Sequence, residues 1–158
     1  MRKNILIFNY GSGNYSSIEK TLKRFGNNIN IGNSKDYLEN SDIVILPGVG
    51  TFPKAMKYME KISIIKKLKS IALKGKNILG ICLGMQLLTE FSPEIQNTKG
   101  LKLIKGSTKK IPFKNHIGWN NVFFDKSSVF QSLNGKSFYF QHQYFIDTKM
   151  PLEKGYFK

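Results

Sequence analysis

The hydrophobic pattern divides this chain into two unlike halves. Residues 4–9 (Asn-Ile-Leu-Ile-Phe-Asn) are a strand-length apolar run, and shorter runs at 28–31 and 42–46 repeat the signal. The run at 42–46 is apolar at almost every position, as expected of a strand covered on both faces. Between the first two runs Ile18, Leu22 and Phe25 recur at helical spacing, and Gly26 ends the series. A long helical region then reaches about Lys74, with Ile64, Ile65, Leu68, Ile71 and Ala72 on one face. Residues 77–81 predict a fourth strand and residues 85–90 another helix. This β-α-β-α-β order predicts an α/β fold: an open, mainly parallel sheet with helices on both faces, joined by right-handed crossovers. After Glu90 the pattern shortens. Segments 101–104, 108–113, 119–124 and 137–146, broken by glycine and proline, predict antiparallel strands in the second half. The aromatic run Phe138-Tyr139-Phe140 is expected in the sheet core. No repeat, low-complexity stretch or linker interrupts residues 1–158, which are read as one domain.

Composition narrows the function classes. Hydrophobic residues make up 41% and charged residues 22% of the 158, ordinary for a globular domain. A single cysteine excludes an internal disulfide and a cysteine-rich metal site, which suits a reducing compartment. No apolar run reaches membrane-span length, and the first residues carry no signal-peptide pattern, so a cytoplasmic protein without membrane contact is expected. The formal charge of +15 invites a nucleic-acid reading, but only Arg2 and Arg24 among the 25 basic residues are arginine. The lysines are scattered, so specific nucleic-acid binding is not expected. The charge suits phosphorylated metabolites or an acidic partner surface instead.

The chemistry concentrates at Cys82, which sits in a G-x-C-x-G sequence, Gly80-Ile81-Cys82-Leu83-Gly84. An apolar strand precedes it and a helix follows. A nucleophile on a sharp strand-to-helix turn needs small neighbours on both sides, and the helix start favours its thiolate. A buried core cysteine is the bland alternative, which the flanking glycines disfavour. Two more glycine loops, Gly11-Ser12-Gly13 and Gly48-Val49-Gly50, follow the first and third strands. In an open parallel sheet these strand ends line the ligand crevice. The first loop lacks the third glycine of a dinucleotide fingerprint.

Five segments occur in order: Tyr10-Gly11-Ser12-Gly13-Asn14, Pro47-Gly48-Val49-Gly50, Gly80 through Leu88, His116-Ile117-Gly118-Trp119-Asn120 and Tyr139-Phe140-Gln141-His142-Gln143-Tyr144. Together they resemble the glutaminase subunit of imidazole glycerol phosphate synthase, within the class I (triad) glutamine amidotransferases, whose fold is flavodoxin-like. The resemblance spans residues 4–147. It implies that Cys82 attacks the side-chain amide of glutamine, forming a thioester and releasing ammonia. It implies an oxyanion hole at Gly48, Val49, Gly50 and Leu83, and a glutamine pocket lined by Gly48, Gln86, His142 and Tyr144. Asn14, Trp119 and Asn120 match segments that face the synthase (cyclase) partner in a heterodimer. Neither metal nor cofactor is implied.

The sequence departs from the family pattern in three ways. Asn9 replaces the usual aspartate before Tyr-Gly, and Gln143 replaces a small serine. The family's general base and its carboxylate come from a late His-Pro-Glu segment, and no such segment occurs here. The histidines are His116, read as a loop residue near the partner surface, and His142, read as a pocket wall rather than a base. Without that segment the 158-residue chain is expected to be inactive alone. Two other readings fit the same residues: a subunit feeding ammonia to a sugar-modifying synthase of surface polysaccharide, and a truncated non-catalytic docking protein.

Overall fold

The structure is a computed structural model that describes residues 2–11, 13–112, 115–126 and 128–149, and the backbone of 155–157. Ser12 of the first glycine loop, Phe113 at the end of an expected strand, and Lys158 lie outside the described residues.

Four parallel strands organise the first half in the order β2-β1-β3-β4. They are β1 (Asn4–Phe8), β2 (Asn28–Gly32), β3 (Ile43–Leu46) and β4 (Asn77–Gly80). Alternate residues of a strand face opposite sides. Leu6, Phe8, Val44 and Leu46 enter the main core on one side, while Ile5, Ile7 and Ile45 are buried on the other. Both faces are therefore covered, which explains why β1 and β3 carry unbroken apolar runs.

The connecting helices are α1 (Tyr15–Lys23), α2 (Lys35–Asn40), α3 (Phe52–Lys61) and α4 (Ile65–Leu73). Leu38, Phe52, Met56, Met59, Ile64, Leu68 and Ile71 supply the helical side of the main core. The helix expected through Lys74 is in fact two. Ser63 takes a left-handed φ of 53°, its N–H bonds the Glu60 carbonyl, and the Ile64 N–H reaches back to the Met59 carbonyl. Those paired bonds close a helix end in the usual manner, but without the glycine that normally advertises it. Helix α2, capped by Ser34 on the Tyr37 N–H at 3.2 Å, was not expected from the hydrophobic period; six residues are too few to display one. Phe25 departs from the expected helix face: it lies beyond α1 and is 76% exposed.

The second half is built from short strands. A mixed sheet runs β10-β7-β5-β6, and a three-stranded antiparallel sheet runs β11-β8-β9. The first comprises β5 (Phe91–Ser92), β6 (Thr98–Lys99), β7 (Ser107–Lys110) and β10 (Tyr144–Asp147). The second comprises β8 (His116–Phe124), β9 (Lys136–His142) and β11 (Gly155–Phe157). The single strand expected over 137–146 is thus two: β9 pairs with β8, then β10 pairs with β7. Gln143 stands at the change-over, its carbonyl accepting from the Ile111 N–H at 2.8 Å. Residues 101–104 are not a strand. Their N–H groups bond the carbonyls of Leu87, Thr89 and Leu88 at 2.8–2.9 Å, so they cap the helix that follows Cys82. The aromatic run is not core either, since Phe138 is 37% and Tyr139 52% exposed.

Among the described residues, no helix is long and apolar enough to cross a membrane.

Candidate functional site

Cys82 occupies the turn between β4 and α5 (Leu83–Leu87), with φ 53° and ψ −114°. A non-glycine residue held there is strained by about 1–3 kcal/mol, which persists only when the surroundings hold it. The surroundings do so through glycine. A β-carbon on Gly80 would lie 2.5 Å from Met85 Cα, and one on Gly84 would lie 1.8 Å from the Leu46 carbonyl oxygen. The Ile81 N–H also bonds that carbonyl at 2.9 Å, tying the turn to β3. The helix starts at Leu83, directly after the sulfur, rather than at 85 as the sequence suggests. The thiol is free and exposed. Among the described residues the Leu83 N–H has no hydrogen-bond partner, whereas the next three N–H groups bond back to Ile81 and Cys82.

The 47–50 loop packs directly on this elbow. A β-carbon on Gly48 would meet Leu83 Cβ at 2.5 Å and the Gly84 nitrogen at 2.6 Å. Beneath the loop, the Tyr10 hydroxyl, buried at the end of the first strand, donates to the Pro47 carbonyl. Burial, then the charges at Tyr15 and Cys82, push the titration of Tyr10 far up, so it remains a donor. The N–H groups of Gly48, Val49 and Gly50 have no hydrogen-bond partner among the described residues. Unpaired amides beside a thiol can hold negative charge that develops on an oxygen.

An open cavity of about 730 Å³ lies over the elbow. Cys82, Leu83 and Gln86 line it from one side and Gly48, Val49 and Gly50 from another. His142 and Tyr144 contribute from the second half, and Asn14 from the start of α1. The cavity thus gathers every residue expected at the oxyanion hole and the glutamine pocket. Asn14 stands in the same cavity, where its side chain also caps α1 by accepting from the Ser17 N–H at 3.3 Å.

Glu94 is a cavity residue that sequence reasoning passed over. In the fold, Glu94 Oε2 accepts from the Phe52 N–H at 2.7 Å and caps α3. Thr51, at the cap position itself, makes no such bond. Tyr144 lines the same cavity, and burial, then the Glu94 charge, raise its titration. The two capping partners are 42 residues apart, so no local signal announced the contact.

His116 belongs to strand β8, not to a loop. Its Nδ1 lies 3.0 Å from His142 Nε2, its Nε2 lies 2.8 Å from Asn120 Oδ1, and its ring stacks on Phe140 with centroids 4.6 Å apart. His142 Nδ1 donates to the Tyr144 carbonyl at 3.0 Å. Both nitrogens of His142 are therefore engaged, one with His116 and the other with the Tyr144 carbonyl. Asn120 shares the His116 face of β8. Trp119 faces the other way, 71% exposed and edge-on to Tyr139 with centroids 5.6 Å apart.

Comparison with known proteins gives a consistent picture. The profile of the family described as "Glutamine amidotransferase class-I" matches residues 6–157. A Bacillus mycoides protein named imidazole glycerol phosphate synthase subunit HisH is 45% identical over 156 residues, 96% of this chain and 75% of that protein. A protein of the same name from Caldanaerobacter subterraneus subsp. tengcongensis is 41% identical over 146 residues, covering 89% and 72% of the two chains. Among solved structures, PurLQS from Thermotoga maritima superposes with a TM-score of 0.69 at 18% identity, over 99% of this chain and 75% of that one. A structure described as a glutamine amidotransferase gives 0.67 at 16% identity, over 87% and 70%. At these identities the two structures speak for the fold alone.

Proposed function

Because this chain belongs to the class I glutamine amidotransferase family, we propose that it is the glutaminase subunit of an imidazole glycerol phosphate synthase, in histidine biosynthesis. The observation that carries the reading is the Cys82 elbow with the 47–50 loop packed against it, both opening into one cavity. The relatives' shared name selects this role over the surface-polysaccharide alternative.

In the proposed reaction the Cys82 thiolate attacks the side-chain carbonyl carbon of glutamine. The oxygen takes up the negative charge, and the N–H groups of the 47–50 loop and of Leu83 receive it. The C–N bond then breaks, the nitrogen leaves as ammonia after taking a proton, and a glutamyl thioester remains. Water adds to the thioester, releasing glutamate and the thiol. Gln86, His142 and Tyr144 would shape the pocket for the amino-acid end. Among the described residues that line the cavity Glu94 is the one carboxylate, and the α-ammonium of glutamine is its natural counter-charge.

The reaction needs a base, and His142 is committed to two other bonds. The family's His-Pro-Glu segment is absent from these 158 residues, so they supply the nucleophile, the oxyanion donors and the pocket. The ammonia acceptor would be a synthase subunit bound as a heterodimer, with Trp119, Asn120 and Asn14 toward it. Exposed Trp119, with exposed Tyr139 edge-on to it, favours a second reading, in which the chain docks such a partner without turning over glutamine. A cytoplasmic setting suits an enzyme whose one cysteine must stay reduced.

Titration calorimetry with L-glutamine on a Cys82→Ser chain tests the substrate. Saturable one-to-one binding that D-glutamine does not reproduce is expected. No saturable heat would contradict the glutaminase reading and leave the docking role.

A further inference from the structure

We propose that Tyr10 is a positioning residue for the oxyanion loop: its hydroxyl holds the Pro47 carbonyl, and so aims the Gly48 N–H away from the core and toward the cavity where Cys82 reacts. The inference rests on the glutaminase reading above and adds to it a residue that does not touch substrate.

A peptide group is planar, and in its trans form the C=O and the following N–H point in opposite directions. The Pro47 carbonyl is held by a phenol that is 1% exposed, on the core side of the loop. The Gly48 N–H, at the opposite edge of the same planar group, is directed the other way, and Gly48 lines the cavity. The peptide is also wedged. A β-carbon on Gly48 would sit 2.9 Å from Tyr10 Oη, against 2.5 Å from Leu83 Cβ on the elbow side. Turning this peptide over would leave the carbonyl without its donor.

The phenol itself is well anchored. Tyr10 lies two residues beyond the end of β1, and its ring stacks on that of buried Phe8 with centroids 6.4 Å apart. Burial keeps the hydroxyl protonated, and a thiolate at Cys82 pushes in the same direction. The donor is thus present at the moment charge appears in the site, and Tyr10 gives up no proton in the reaction.

The test uses the 158-residue chain and two reagents that alkylate Cys82. A chloromethyl ketone analogue of glutamine forms a C–S bond and loses chloride with its ketone oxygen in the oxyanion loop. Iodoacetamide reacts from any approach. Tyr10→Phe should slow capture by the ketone on the order of tenfold or more, with iodoacetamide reacting at the wild-type rate. Replacing Tyr10 by 4-aminophenylalanine, which keeps a donor, should restore ketone capture. Equal ketone rates for wild type and Tyr10→Phe would overturn the inference, as would an equal slowing toward both reagents. If the Phe variant does not melt cooperatively, the 4-aminophenylalanine chain decides: ketone capture near the wild-type rate supports the inference, and slow capture overturns it. Failure of the wild type to be captured would instead bring down the glutaminase reading, and this inference with it.

Discussion

Gly84 stands so close to Leu46 that a β-carbon on it would lie 1.8 Å from the Leu46 carbonyl oxygen. That carbonyl also accepts the Ile81 N–H at 2.9 Å. The last residue of β3 thus seats both sides of the turn that carries Cys82, and only glycine allows the seat to close. Gly84→Ala must push α5 off β3. Overpacking of this kind costs about 1–3 kcal/mol or somewhat more, and urea unfolding should show a lower midpoint with an unchanged slope. An unshifted midpoint would mean that the elbow yields freely.

Under the proposed function, Glu94 would link substrate recognition to the frame of the site. Its carboxylate caps α3 and lies on the cavity wall. Glu94→Gln keeps the shape and removes the charge. A lost charge-assisted contact of about 1.5–3 kcal/mol weakens glutamine binding by roughly ten- to a hundredfold. Calorimetry on the Cys82→Ser background reads this directly. Unchanged affinity would place the ammonium of glutamine elsewhere.

The buried phenol of Tyr10 gives the fold an alkaline limit. Its folded pKa lies above the unfolded value, so the folded state keeps a proton that the unfolded state gives up. The resulting stability is intact below the unfolded tyrosine value of about 10 and is lost as pH rises beyond it. Tyr144 shifts in the same direction, for burial first and the Glu94 charge second. Thermal melts should fall above about pH 10 in the wild type and fall less steeply in Tyr10→Phe. Parallel curves for the two chains would contradict this assignment.

Strand β4 ends the parallel sheet, and Leu79 on it is 52% exposed. An uncovered edge strand with an apolar side chain invites self-association. Light scattering should find the chain associating at high concentration, and Leu79→Lys should reduce this. A monodisperse wild type would contradict the prediction.

Much of this was legible before the structure. Strands β1 and β3 showed themselves because burial on both faces demands unbroken apolar runs, and the elbow because its glycines are steric necessities. What escaped depended on contacts remote in sequence or on ends without their usual marker. Ser63 closes α3 where glycine would have announced the break. The run 137–146 looked like one strand because nothing local tells Gln143 that its neighbours on either side pair with different sheets. The bond from Phe52 to Glu94 and the engagement of His142 by His116 are likewise contacts between distant segments.

The central claim is that Cys82 is a nucleophile toward the side chain of glutamine. Intact-mass measurement after exposure to the chloromethyl ketone analogue of glutamine tests it most directly. The account predicts a single adduct, mapped to Cys82, suppressed by L-glutamine and absent from Cys82→Ala. An adduct that forms at the same rate with and without L-glutamine, or none at all, would contradict it.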